Sequence, residues 1–332
     1  MLKFITFAVK VQLNVHDLNN EAVAGNVTDI RVMDYLIQNE KGEWEKTEAP
    51  AVSGRMLKHW HYEAMRKLGI EQKLPFCDAC KIGEPVRPAI LDGKVLSHRK
   101  AIELGTEEVI KKCVLCDTHG YLAAIAGKGK KRSVSEGESE GQEGISERRS
   151  SRVMFSWLMP IISIPSKQVI HSRVKSGKEF KEKDEGVISQ MPFNKSYASG
   201  IYSFVSGLDV DRIGLIELNL GDNNPYAVDD NNGRKDRIKL AIEAYRYLIS
   251  GQMGASLSHA IPHWDPIEIF VCYSEIGPLP FPVSPIYSNY ISKTLGIMPK
   301  GSVFLYWGKK KQQGVIVKEK IDEIFEELTN RV

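Results

Sequence analysis

An α+β fold, with two helices laid over an antiparallel sheet in the split β-α-β order, is what this sequence of 332 residues predicts. Three observations lead there. The strand runs alternate in polarity, clear helical stripes are few, and strands and helices are interspersed without the regular alternation of a doubly wound parallel sheet. A hydrophobic share of 42% with 26% charged residues suits a globular chain with one large core or two modest ones. No apolar run of about 18 residues occurs, and the start Met1-Leu2-Lys3-Phe4-Ile5-Thr6-Phe7 reads as a strand and not as a signal peptide. The expectation is a cytoplasmic chain with no membrane partner. With 45 basic and 42 acidic residues the net charge is only +3, so binding to a polyanion must rest on where the charges sit.

The first strand covers residues 3 to 13, where Ile5, Phe7, Val9 and Val11 alternate with Phe4, Thr6, Ala8 and Lys10 in the period of a half-buried strand. A polar loop follows from Asn14 to Asn20. The stretch Val27 to Gln38 turns through Asn39-Glu40-Lys41-Gly42 and resumes at Trp44, which predicts a hairpin. A helix then runs from an N-cap at Ser53 to a stop at Gly69. Met56, Leu57, Trp60, Ala64 and Leu68 form its apolar stripe, opposite a face of Arg55, Lys58, His59, Tyr62 and Arg66. By composition alone that basic face is a solvated surface.

Residues 127 to 152, GKGKKRSVSEGESEGQEGISERRSSR, hold almost no apolar side chains and are expected to form a disordered insertion. An apolar strand resumes from Val153 to Ser163. Residues 171 to 194, polar and glycine-containing, predict a projecting hairpin, and Tyr197 to Val205 a core strand. A helix from about Arg234 to Ser250 puts Ile238, Ala241, Tyr245 and Leu248 on one face and stops at Gly251. Strands at Pro266 to Ser274 and Ser302 to Trp307 follow. Ile321, Ile324, Phe325 and Leu328 mark a closing helix.

Four of the five cysteines form Cys77-Asp78-Ala79-Cys80 and Cys113-Val114-Leu115-Cys116, two Cys-x-x-Cys knuckles separated by 32 residues. Two such knuckles can close a tetrahedral four-thiolate zinc site with no open position for chemistry. Paired disulfides and a redox motif are the alternatives. His98 and His119 stand near enough in sequence to replace a thiolate, and Cys272, inside an apolar run, reads as a buried small hydrophobe.

The string AVSGRMLKHWHYEAM at 51 to 65, with Asn14-Val15-His16-Asp17-Leu18-Asn19 before it, resembles the CRISPR-associated Cas-seven family in its archaeal type I-A branch, also called the DevR-type autoregulator family. Three further blocks fall in the family order: Asp117-Thr118-His119-Gly120-Tyr121-Leu122, then residues 196 to 204, then Gly251-Gln252-Met253-Gly254-Ala255. The acidic insertion at 133 to 147 and the four-cysteine element depart from the family pattern.

This resemblance implies a modified RNA-recognition-motif palm spanning residues 1 to 332, with a finger-like insertion at 70 to 125 and a thumb hairpin at 171 to 194. It implies a non-catalytic subunit that polymerises along a CRISPR guide RNA, beside other Cascade subunits, and meets target DNA through the guide. Carried over by position, the RNA-binding candidates are His16, Asn19, Ser53, Gly54, Arg55, Lys58 and His59, with Arg148, Arg149 and Arg152 as a basic cluster. His171 and Arg173 are candidate thumb contacts, and Met191 or Phe193 the apolar wedge. The helix-start block is coherent on its own chemistry, because a helix N-terminus offers unpaired N–H groups and a favourable dipole to phosphate. Gly54 is expected to let backbone and ligand approach.

Three other functions compete, one of them a zinc-stabilised interaction module that binds no nucleic acid. Type III relatives cleave RNA with a loop aspartate, but Asp17 and Asp29 sit in no paired-carboxylate motif. A transcriptional regulator would need a base-reading helix, and no helix-turn-helix is evident.

Overall fold

The computed structural model describes every residue except 16–22, 25–26, 29–30, 40, 85, 126–144, 162–166, 175–189, 253–260 and 310–312. Its helices, in chain order, are α1 (Gly54–Glu71), α2 (Asp78–Ile82), α3 (His98–Lys112), α4 (Val114–His119), α5 (Arg234–Ile249), α6 (Tyr290–Ile297) and α7 (Ile321–Asn330). The main sheet is ordered Val153–Phe155, Ser199–Asp209, Phe4–Asn14, Asp265–Ser274, Val303–Gly308, Ile316–Val317, with Met159–Pro160 also along Ser199–Asp209. All of these pairings are antiparallel except the last, Val303–Gly308 with Ile316–Val317.

Phe4–Asn14 is the central strand. Its odd positions, Ile5, Phe7, Val9, Val11 and Leu13, enter one core with α1, α5 and α7, where the Phe7 ring stacks on Tyr245 at 4.3 Å. Of the even positions Phe4, Thr6 and Ala8 are also buried, which corrects the half-buried reading for that part of the strand, while Gln12 stays exposed. Ala8 packs with Phe270, Tyr290, Ile291 and Tyr306, because α6 covers the second face of the sheet. Lys10 survives there by pairing with Glu268 at 2.7 Å and lying 4.7 Å from the Tyr290 ring.

The hairpin Val32–Gln38 with Trp44–Pro50 forms where the turn residues predict it. The Asn39 amide oxygen accepts from the backbone of Lys41 and Glu43, and Gly42 supplies the left-handed backbone. α1 runs past the expected stop at Gly69. That glycine is buried, and a Cβ there would come within 2.7 Å of Phe76 and 3.0 Å of Leu240, so its smallness serves helix packing. Tyr62, placed on the solvated face by sequence, is buried as well.

The insertion at 127 to 152 is corrected at its end. Ile145–Arg149 is a strand paired antiparallel with Tyr121–Ile125, whereas 126–144 lie outside the described residues. The two arms of the expected hairpin pair as backbone: Lys167–Val174 runs antiparallel to Gln190–Tyr197, setting His171 opposite Phe193 and Arg173 opposite Met191. Those four side chains, and residues 175–189, lie outside what is described. Among the described residues no helix is long and apolar enough to cross a membrane.

A buried carboxylate joins these parts. Asp117, fully buried on α4, binds Arg149 through one oxygen and Arg237 of α5 at 2.9 Å through the other, and both oxygens accept from Gly214 N–H. Arg149 also donates to the carbonyls of Asp117 and Leu215, and Arg237 to those of Ile110 and Lys111. Glu217 extends the network to Arg152, Arg149 and Arg212. Breaking one partner of such a cluster leaves charges buried without compensation. Asp117→Ala is therefore expected to lose about 3–5 kcal/mol of stability in urea unfolding; a loss below about 1 kcal/mol would show that the carboxylate does not hold the fold.

Candidate nucleic-acid interface and cysteine cluster

α1 begins after Ser53, whose extended backbone occupies the N-cap position and whose side chain makes no cap bond. No acidic residue stands in the first turn. The positive end of an 18-residue helix is thus left without a neutralising carboxylate of its own. This end opens into a cleft of about 700 Å³ lined by Ser53, Gly54, Arg55 and Lys58 from α1, with Arg31 and the wall from Ser151 to Trp157. Among the described lining residues there is no carboxylate. Arg55 and His59 are exposed and Lys58 is half-buried.

The structure therefore brings together four of the sequence-predicted residues, Ser53, Gly54, Arg55 and Lys58, with His59 one position further along the helix. It adds Arg31 and Trp157, which sequence reasoning missed. Their cation–π approach, 5.3 Å from guanidinium to ring centroid, joins segments more than a hundred positions apart, so no local spacing signals it.

Gly54 is required for a different reason from the one expected. A Cβ on it would lie 2.6 Å from the Phe155 carbonyl oxygen and 2.7 Å from that of Ser156, so the close approach is to the chain's own wall. Arg149 and Arg152 are likewise corrected. Both are buried in the Asp117 and Glu217 ion pairs and leave no guanidinium at the surface. Burial, before the nearby Arg149, lowers the Arg152 pKa from its ordinary value. Arg148 alone of the three is exposed. His16 and Asn19, like Asp17 and Asp29, lie outside the described residues.

Behind the cleft α1 carries a neutral histidine pair. His61 Nε2 donates to the Ala241 carbonyl at 3.0 Å, which leaves Nδ1 to accept from His119 Nε2 at 3.0 Å. Burial pushes His61 down to about 3 and His119 well below the usual imidazole range. Neither His98 nor His119 joins the metal-ligating group found among the described residues, which is the four cysteines, and His98 is turned to the Pro88 carbonyl at 2.9 Å.

The four knuckle cysteines converge beside this pair. Their sulfurs all lie within 4.8 Å of one another, with Cys77 to Cys116 and Cys80 to Cys116 at 3.8 Å, and none is in a disulfide. Four sulfurs about 2.3 Å from a central ion form a tetrahedron with edges of about 3.8 Å, so the donor set and its spacing fit zinc. The Cys116 N–H donates to Cys113 Sγ at 3.4 Å. Cys272 is buried in the main sheet, away from the cluster, as its apolar run predicts.

The strand order and the coverage of the sheet define a mixed α/β fold shared with chains of RNA-guided complexes. A solved chain described as "CRISPR RNA-guided surveillance complex, pre-nicking" matches over 99% of both chains, with a TM-score of 0.53 and 12% identity. At the level of sequence, a model of the CRISPR-associated negative auto-regulator DevR/Csa2 family matches residues 7–295, and the chain belongs to that family. It is similar to a "CRISPR-associated protein Cas7/Cst2/DevR" of Methanocaldococcus jannaschii, 28% identical over 305 residues, which are 89% of this chain and 88% of that protein. A "CRISPR-associated protein Cas7/Csa2 1" of Saccharolobus solfataricus is 27% identical over 291 residues, 85% of this chain and 82% of the relative.

Lys58 reports on the cleft. Burial first, and Arg87 second, pull its ammonium down to about 8. A bound polyanion counters the repulsion and raises the value again, so above that pH binding must take up a proton. Polyanion affinity is expected to be level below about pH 8 and to fall above it, whereas Lys58→Arg flattens the profile. A wild-type profile with no fall up to about pH 10 would remove Lys58 from the site.

Proposed function

We propose that the chain is a non-catalytic, guide-RNA-binding backbone subunit of an archaeal type I-A CRISPR surveillance complex, active in the cytoplasm. One observation carries this reading: the cationic cleft at the start of α1, where helix amides, Arg55, Lys58 and Arg31 converge and no carboxylate is among the described lining residues. Single-stranded nucleic acid is gripped by such features through its phosphates, and guide-to-target pairing then supplies the sequence information. Family membership and the names of the relatives support the same assignment.

The remaining parts take their places in this proposal. The order Val153–Phe155, Ser199–Asp209, Phe4–Asn14, Asp265–Ser274, with α1 after the first strand and α5 before the last, supports a modified RNA-recognition-motif palm. Residues 70 to 125 serve as a finger-like insertion, and the hairpin of Lys167–Val174 and Gln190–Tyr197 as the thumb. Copies associate along the guide, join other Cascade subunits, and present the guide to target DNA. The family description also speaks of negative auto-regulation, so duplex DNA is the competing ligand.

Binding of a guide RNA at several salt concentrations, for the wild type and an Arg55→Ala, Lys58→Ala double variant, tests the reading. Two lost phosphate contacts are expected to make the log–log salt slope shallower by about 1.4. The variant is also expected to lose filaments under the electron microscope. Unchanged binding would move the RNA site elsewhere, and preference of the wild type for duplex DNA over guide RNA would favour the regulator.

Cys77, Cys80, Cys113 and Cys116 are assigned to one structural zinc ion, which closes the insertion and takes no part in chemistry. Purified protein is expected to carry zinc in a one-to-one ratio and to melt at lower temperature after chelation, and Cys116→Ser to lose the metal. Metal-free protein with full stability would instead mark the cluster as plain thiols.

A further inference from the structure

A second cavity adjoins the cationic cleft and differs from it in character. It encloses about 570 Å³ between the wall from Met154 to Met159 and the loop carrying Phe281, Pro282 and Ile286. Met154, Phe155 and Trp157 line both cavities, so the two are neighbouring compartments with a common wall. No charged side chain is among the described residues lining the second cavity, and only Ser156 and Ser284 bring polar side chains to it. Phe281, 48% exposed, stands on its loop side, and Trp157, half-buried, takes Arg31 against its ring on the cleft side.

We propose that the apolar cavity receives one base of the single strand whose phosphates lie in the cationic cleft. This rests on the reading of the cleft as an RNA site. An apolar hollow alone would admit many occupants. Its continuity with a cationic cleft, whose described lining holds no carboxylate, selects a ligand that joins an anion to a flat apolar-faced group, which describes a nucleotide. The cavity is large enough for a single base, and its aromatic and thioether walls offer stacking surfaces. With two serines as its polar side chains, the pocket grips through faces and not edges. It therefore accepts any base, as a guide-binding site that must serve many spacers requires.

The test compares oligouridine with an abasic oligomer of the same length and charge, on the wild type, on Phe281→Ala and on the Arg55→Ala, Lys58→Ala variant. The wild type is expected to bind the base-bearing strand about 5- to 160-fold more tightly. Phe281→Ala, at a position 48% exposed whose ring meets Phe4 edge-on, is expected to shrink that ratio and leave abasic affinity unchanged, with its folding checked by thermal melting. The double variant is expected to weaken both strands alike. Equal wild-type affinity for the two oligomers would overturn the base pocket and leave the phosphate cleft standing. A ratio unaffected by Phe281→Ala would place base contacts elsewhere, and a change only in self-association would assign the cavity to a second copy of the chain; either overturns the proposal. Failure of the wild type to bind either strand would overturn the cleft reading itself.

Discussion

The geometry of the cleft depends on a carboxylate that never meets solvent. Asp117 holds guanidinium groups from two distant segments and a backbone N–H from a third, and so fixes α4, the strand Ile145–Arg149, the Gly214 loop and α5 relative to one another. Burying three charges together is expensive unless their lone pairs and protons are almost all satisfied. Here Arg149 and Arg237 also donate to backbone carbonyls, so most of their donors are occupied. The consequence reaches the surface within two residues. Arg149 sits against Gly120, where a Cβ would lie 2.3 Å from its carbonyl, and the chain leaves it directly into Ser151 and the Val153–Trp157 wall of the cleft.

That network also explains what the sequence could and could not reveal. Periodicity finds α1, α5, α7 and the central strands because burial of one stripe is a local property of spacing. The helix-start residues are legible for the same reason, since an N-terminus, its cap position and two basic residues occupy six consecutive positions, Ser53 to Lys58. The cysteine cluster is legible because each knuckle brings two ligands from four residues. Arg149 and Arg152 carry over by position as part of a basic RNA-binding cluster, yet the structure buries both, because position along the chain does not reveal what a guanidinium pairs with. Their partners, Asp117, Glu217 and Arg237, lie far along the chain, and only the folded structure pairs them. The same limit hid the covered second face of Phe4–Asn14, which alternation assigns to solvent until α6 arrives from residue 290 onward.

Around α1 the chain keeps two kinds of basic residue apart. On its inner side His61 and His119 are held neutral by burial, so their mutual contact carries no repulsion. On its outer side Arg55 and Lys58 remain cationic at neutral pH, close to an N-terminus with no acidic residue in its first turn. The helix thereby presents charge at one end without destabilising the core at the other. The cysteine cluster anchors the segment that supplies Arg87, whose side chain lies 4.7 Å from the Tyr62 ring and bonds the Gly120 carbonyl.

A net charge of +3 would suggest little affinity for a polyanion, yet the distribution of acids decides the matter. Asp117 and Glu217 are engaged with interior or half-buried arginines, Glu268 with Lys10, and Glu63 with Arg66 further along α1. None of these carboxylates lines the cleft. Removing acids from one surface by pairing them elsewhere produces a local positive field at no cost to overall near-neutrality, and neutrality limits non-specific attraction over the rest of the surface. Under the proposed function, selectivity for a held strand over passing polyanions has to come from shape, and the shared Met154, Phe155 and Trp157 wall is where charge and apolar surface meet.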